Sequence, residues 1–139
     1  MQDITRRSAV ALSLAAAASV PPEARAQGAG GGASQFKETQ RGPGVVQRDY
    51  TQERSLIPGF QTVSMRDLVL EPGAMFKPAM PMANAMVCHT AEGELQVHQD
   101  GRTFTAPTFY VWTCDKGTEE WSENKGNVRA VMRITDLKA

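Results

Sequence analysis

The sequence predicts an all-β domain, an antiparallel barrel or sandwich of about seven or eight short strands. Runs rich in Val, Thr, Phe and Tyr are separated at short intervals by Gly and Pro, the texture of strands joined by turns. Asp100-Gly101 is the strongest hairpin signal, because a tight two-residue turn needs positive φ and is flanked here by Leu95-x-Val97 and Phe104. The final run, Val128 to Thr135, puts Val128, Ala130, Met132 and Ile134 on one face, the two-residue period of a half-buried strand.

The other elements follow in order. Phe60 to Leu70 reads as a long extended segment, closed by the turn Glu71-Pro72-Gly73. Asn84 to Thr90 and Glu94 to Gln99 come next, with Gly93 marking a bend between them. Thr108 to Thr113 is a dense run of β-formers, and Lys116-Gly117 turns the chain before the closing strand. Helix is expected only in the N-terminal segment. Folded structure is expected to begin near Val45, so that residues 45–139 form one domain around one core.

The N-terminus has the layout of a signal peptide spanning residues 1–26. Arg6-Arg7 precede an apolar run from Ala9 to Val20, then Pro21-Pro22 and the small-residue tripeptide Ala24-Arg25-Ala26, with cleavage expected after Ala26. Thr5-Arg6-Arg7-Ser8 is similar to the twin-arginine export signal, although Ala9 stands where an aromatic residue is usual, and Sec export stays open. Export would deliver the chain to the periplasm. The apolar run is too short for a bilayer-spanning helix and no later stretch of about 20 apolar residues exists, so no stable membrane insertion is expected after cleavage. Residues 27–44 open with Gln27-Gly28-Ala29-Gly30-Gly31-Gly32-Ala33-Ser34 and read as a flexible leader.

Charge excludes some partners. Fifteen Lys plus Arg balance fifteen Asp plus Glu, and without a basic block neither nucleic acid nor an anionic membrane surface is an expected partner. No Gly-rich phosphate loop, Ser/His/Asp arrangement or Cys-x-x-Cys pair is present.

The residues beyond Gly59 resemble the cupin family, in particular small single-domain cupins of the cupin-2 type. The family's first motif runs from a Gly through His-x-His and Glu to another Gly. Here Glu71-Pro72-Gly73-Ala74 matches its lead-in turn, and Ala91-Glu92-Gly93-Glu94-Leu95-Gln96-Val97 with Asp100-Gly101 matches its exit and hairpin. The second motif is matched by Asp115-Lys116-Gly117, Glu120 in the His place, Asn124 in the Asn place, and Gly126. The resemblance covers Gly59 to Thr135 and implies an antiparallel jelly-roll barrel.

The ligand positions depart from the family. With one residue of slack the His-x-His and Glu places fall on Met80, Met82 and Met86; with strict spacing the two His places fall on Ala79 and Pro81. Thioether sulfur suits Cu(I) and binds hard divalent ions poorly, so an iron dioxygenase is disfavoured. Met80, Met82, Met86 and Cys88 share parity along an extended chain. Together with Glu120 they form a candidate set for a soft metal such as Cu(I). The plain alternative is that these methionines fill a barrel that has lost its ion.

In an oxidising compartment Cys88 and Cys114 are also a disulfide candidate, subject to the distance between them. His89 and His98 are the only histidines, and their parity points both outward. Trp112 and Trp121 read as core or interface residues, and Glu119, Glu120 and Glu123 as a solvated turn in which the motif singles out Glu120. The expected roles are therefore a binding module for a soft metal or small apolar molecule, a divergent cupin enzyme (isomerase, lyase or oxygenase), or a metal-free interaction barrel, which as a small cupin could pair into a homodimer.

Overall fold

The computed structural model describes residues 35–139. The signal peptide of residues 1–26, its cleavage point at Ala26 and the first part of the leader lie outside the described residues. The described chain contains eleven strands and no helix. In order they are β1 (Phe36–Gly42), β2 (Val45–Tyr50), β3 (Glu53–Arg54), β4 (Thr62–Leu70), β5 (Met75–Phe76), β6 (Ala85–Glu92), β7 (Glu94–Gln99), β8 (Arg102–Pro107), β9 (Val111–Cys114), β10 (Glu120–Glu123) and β11 (Ala130–Lys138).

All pairings are antiparallel and form two sheets. The larger runs β1-β2-β4-β11-β6-β9, with β3 also on β4, and the smaller runs β5-β10-β7-β8. This is an all-β jelly-roll architecture. Its core lies between the inward faces of the two sheets. On β4 the buried Leu68 and Leu70 point inward, and on β11 Met132 and Ile134 do the same. From the smaller sheet Leu95, Val97 and Ala106, all wholly buried, close the core.

The period-2 patterns carry this arrangement, since each strand offers one apolar face to its opposite number. Truncating a side chain as buried as Leu70 or Leu95 typically costs about 2–5 kcal/mol.

Two turns fix the smaller sheet. Asp100 (φ 47°) and Gly101 (φ 78°) form the expected hairpin between β7 and β8. Gly93 (φ 69°) joins β6 to β7 where a Cβ would lie 2.6 Å from the Arg129 carbonyl oxygen, so only glycine fits.

Several boundaries differ from the expectation. The segment read as leader already contains a strand, because β1 pairs with β2 from Phe36 opposite Tyr50 to Gly42 opposite Val45. The last strand starts at Ala130, and Val128 is exposed. Within the run read from Thr108, Phe109 takes φ 72° and turns the chain, so β9 begins at Val111. The acidic turn contains β10, with Glu120 opposite Gln99 and Glu123 opposite Gln96 on β7. Local charge hid this strand, because only its alternate residues, Glu120 and Ser122, are buried.

Candidate metal and ligand site

Register brings sulfur together at one end of the core. On β6, Met86 stands opposite Cys114 of β9 and Cys88 stands opposite Trp112. Cys88 and Cys114 are thus diagonal neighbours, both buried and both free thiols. The disulfide candidate is therefore not formed. Diagonal residues of an antiparallel pair have Cα atoms about 7–8 Å apart, beyond the roughly 7 Å reach of an unstrained bridge.

Glu120 reaches this cluster from β10. It is 7% exposed, and its Oε2 accepts hydrogen bonds from Trp112 Nε1 at 2.9 Å, Cys114 Sγ at 3.1 Å and Gln99 Nε2 at 3.3 Å. Gln99 is itself held, donating to the Thr113 carbonyl at 2.9 Å and accepting from Arg102 at 2.7 Å. The two sulfurs and a Glu120 oxygen lie within 4.8 Å of one another. Burial pushes the Glu120 carboxyl up in pKa, and the hydrogen bonds from Cys114, Trp112 and Gln99 oppose that push only in part. The Cys88 thiol is raised by its hydrogen bond to Cys114 and by burial, with the nearby Glu120 charge adding to both.

The methionines divide by position. Residues 77–84, between β5 and β6, carry no regular strand, so the parity argument fails for Met80 and Met82. Met82 is half-buried against the core, its N–H donating to the Thr118 carbonyl at 2.9 Å and its carbonyl accepting from Gly117 at 2.8 Å. Met80 is 76% exposed at the rim. Met86 is buried on β6. All three, with Glu120, line a cavity of about 170 Å³.

The structure thus gathers Met82, Met86 and Glu120 around the cavity, leaves Met80 at its edge, and puts Cys88 outside the lining, in the sulfur and carboxylate cluster. Cys114 joins that cluster as a donor, a role the sequence reading gave only to the disulfide. Arg66 and Asp136 also line the cavity and were missed. Arg66 shares the inward parity of Leu68 and Leu70, and Asp136 that of Met132 and Ile134, which is the signal that could have found them.

The histidines take no part. His98 stacks on Trp121 with centroids 3.5 Å apart, its Nε2 lies 3.0 Å from Glu123 and its Nδ1 lies 2.9 Å from Thr103. Thiols and thioethers are softer donors than the imidazole and carboxylate that hold hard divalent ions, and the cluster here offers two thiols and one carboxylate.

No protein-family model matches the chain, and no curated protein matches it. Solved structures do. An RmlC-like cupin from Shewanella frigidimarina superposes with a TM-score of 0.60 at 13% identity, over 76% of this chain and 86% of that one. KdgF from a Halomonas species gives 0.59 at 10% identity, over 74% and 87%. The Cupin_2 domain of an XRE-family transcriptional regulator from Enterobacter cloacae gives 0.57 at 15%, over 69% and 98%. At these identities the likeness concerns architecture alone, and that architecture is the cupin fold.

Proposed function

We propose that this chain is an exported, periplasmic cupin-domain binding module in which Cys88, Cys114 and Glu120 hold a soft metal ion such as Cu(I), with Met86 as a neighbouring thioether. One observation carries the reading: two free thiols and a carboxylate oxygen lie within 4.8 Å of one another in a buried position. Thiolate and thioether donors select Cu(I) over hard divalent ions. Trp112 and Gln99 orient the carboxylate from behind, as outer partners of metal ligands do. Ligation requires the proton-free ligands. Because Cys88 and Glu120 both hold their protons above the ordinary range, binding releases protons and affinity rises with pH.

The test is a Cu(I) titration against a competing chelator under reducing conditions. Cys88→Ser and Cys114→Ser abolish tight binding, Trp112→Phe weakens it by about tenfold through loss of the orienting hydrogen bond, and the rim variant Met80→Leu leaves it unchanged. Parent-like affinity in both serine variants would overturn the proposal. Bound Fe, Mn, Ni or Zn in protein purified without added metal would favour the divergent enzyme instead, and a metal-free protein indifferent to Cu(I) the interaction barrel.

A second reading, a small apolar ligand, is favoured by the cavity itself. Its walls include Leu68, Phe76, Met82, Met86, Met132 and Ile134, and an apolar cavity with a few convergent polar groups is the usual form of a ligand site.

A further inference from the structure

The cavity is not uniformly apolar. Arg66 enters it from β4, and its guanidinium is only partly committed: Nη2 donates to Asp136 Oδ1 at 3.2 Å. Nε lies 3.2 Å from Asp136 Oδ2, yet it is the one buried side-chain polar atom among the described residues that makes no hydrogen bond. A guanidinium carries five N–H donors in a fixed fork, and buried donors are nearly always satisfied. An under-used fork on a cavity wall therefore points to an acceptor that arrives with a ligand.

Charge and size narrow that ligand. Asp136 already balances the Arg66 cation, so a ligand carboxylate would bring an uncompensated negative charge beside Asp136 and Glu120 into a largely apolar space. A neutral oxygen acceptor meets the donors without that penalty. Glu120 has Oε2 occupied by three donors, and no described hydrogen bond uses its Oε1. The 170 Å³ volume has room for about six water-sized groups.

We infer that this cavity binds a compact neutral carbonyl compound of about six non-hydrogen atoms, its oxygen accepting from Arg66 and its hydrocarbon body lying against Met82, Met86 and Met132. The inference rests on the small-ligand reading of the cavity and adds the polar end that selects among ligands. The cavity shares Glu120 and Met86 with the proposed metal site but neither cysteine lines it, so the ligand is tested with the metal withheld.

The experiment uses the full chain, held metal-free by excess chelator and labelled with ¹³C at the methionine methyls. Cyclopentanone, methylenecyclopentane and butyrate are titrated in turn. Cyclopentanone shifts the Met86 and Met132 signals saturably, at least about tenfold more tightly than methylenecyclopentane, which has the same shape without the oxygen, and more tightly than butyrate. That factor corresponds to one hydrogen-bonding partner gained or lost. Arg66→Lys, which keeps the charge beside Asp136 but loses the planar fork, weakens cyclopentanone several-fold while folding, checked by circular dichroism, is retained.

Equal binding of methylenecyclopentane overturns the inference and leaves the small-ligand reading intact, whereas no saturable shift with any probe overturns both. Tighter butyrate binding, or parent-like binding in folded Arg66→Lys, also overturns the inference.

Discussion

Arg66 and Asp67 are consecutive on β4 and face opposite sides of the same sheet, and each forms an ion pair with β11. Outward, Asp67 stands directly opposite Arg133. It accepts from Arg133 Nε at 2.8 Å and Nη2 at 2.9 Å, and from the Tyr50 hydroxyl at 2.7 Å. Inward, Arg66 stands opposite Ile134 rather than Asp136, so its pair is diagonal, holds through one 3.2 Å hydrogen bond and leaves Nε, though 3.2 Å from Asp136 Oδ2, without a hydrogen bond. Directly paired residues allow the bidentate geometry that satisfies both groups. The outer pair is complete in itself and reads as structural. The inner pair keeps donors in reserve on a cavity wall, where a ligand could use them.

The sharpest way to break this contrast is to remove one partner from each pair. Arg133→Met leaves Asp67, with a 3% exposed side chain, buried without its cation and destabilises the domain by about 4 kcal/mol. Arg66→Met is expected to cost about half as much, roughly 2 kcal/mol, because Asp136 loses a single hydrogen bond and is already pushed up in pKa by burial. Urea unfolding of the two variants measures the difference. Equal losses would mean that the inner pair is as structural as the outer one.

A smaller effect follows from Tyr50→Phe, which removes one hydrogen bond to the charged Asp67. A loss of about 1.5 kcal/mol is expected, and an unchanged urea midpoint would show that Arg133 alone satisfies the carboxylate.

The outer pair and the Glu120 carboxylate on the opposite wall of the cavity also differ in how they respond to pH. Burial pushes Asp67 up, but the hydrogen bonds from Arg133 and Tyr50 together outweigh it and hold its pKa below the ordinary value. Its contribution is therefore present above the ordinary Asp value of 3.8 and lost as pH falls through the lowered folded one. Glu120 behaves oppositely. Its raised pKa means the folded chain holds the proton more tightly, so its contribution is fully present below the ordinary Glu value of 4.5 and lost as pH rises through the raised folded one. Glu120→Gln should thus gain stability relative to the parent as pH climbs above 4.5. Parallel stability curves for the two proteins would sink this account.

Much of the architecture was legible in the residues. The alternation of Leu68 and Leu70, of Leu95 and Val97, and of Met132 and Ile134 reports directly which faces are buried, because a strand has only two. Asp100-Gly101 fixed its hairpin for an equally local reason, the need for positive φ. By contrast β1 was hidden, since its residues are exposed or half-buried and it is held by backbone pairing to β2. The β10 strand was hidden by its charges. The site was legible in part. The family frame pointed to Met86 and Glu120, which are buried on the cavity wall, and to Met80, which is exposed at its rim because Pro78 and Pro81 take residues 77–84 out of regular strand, where parity no longer applies.

The sequence by itself determined the all-β class and the inward faces of the main strands. Only the tertiary structure decided that Cys88 and Cys114 sit diagonally as thiols, that Glu120 meets them from the opposite sheet, and that Arg66 shares a cavity with the methionines. The reason is physical. Which face a strand residue takes is set by period within a few neighbours, but which residues meet across strands is set by register, and register is a property of the whole packed barrel.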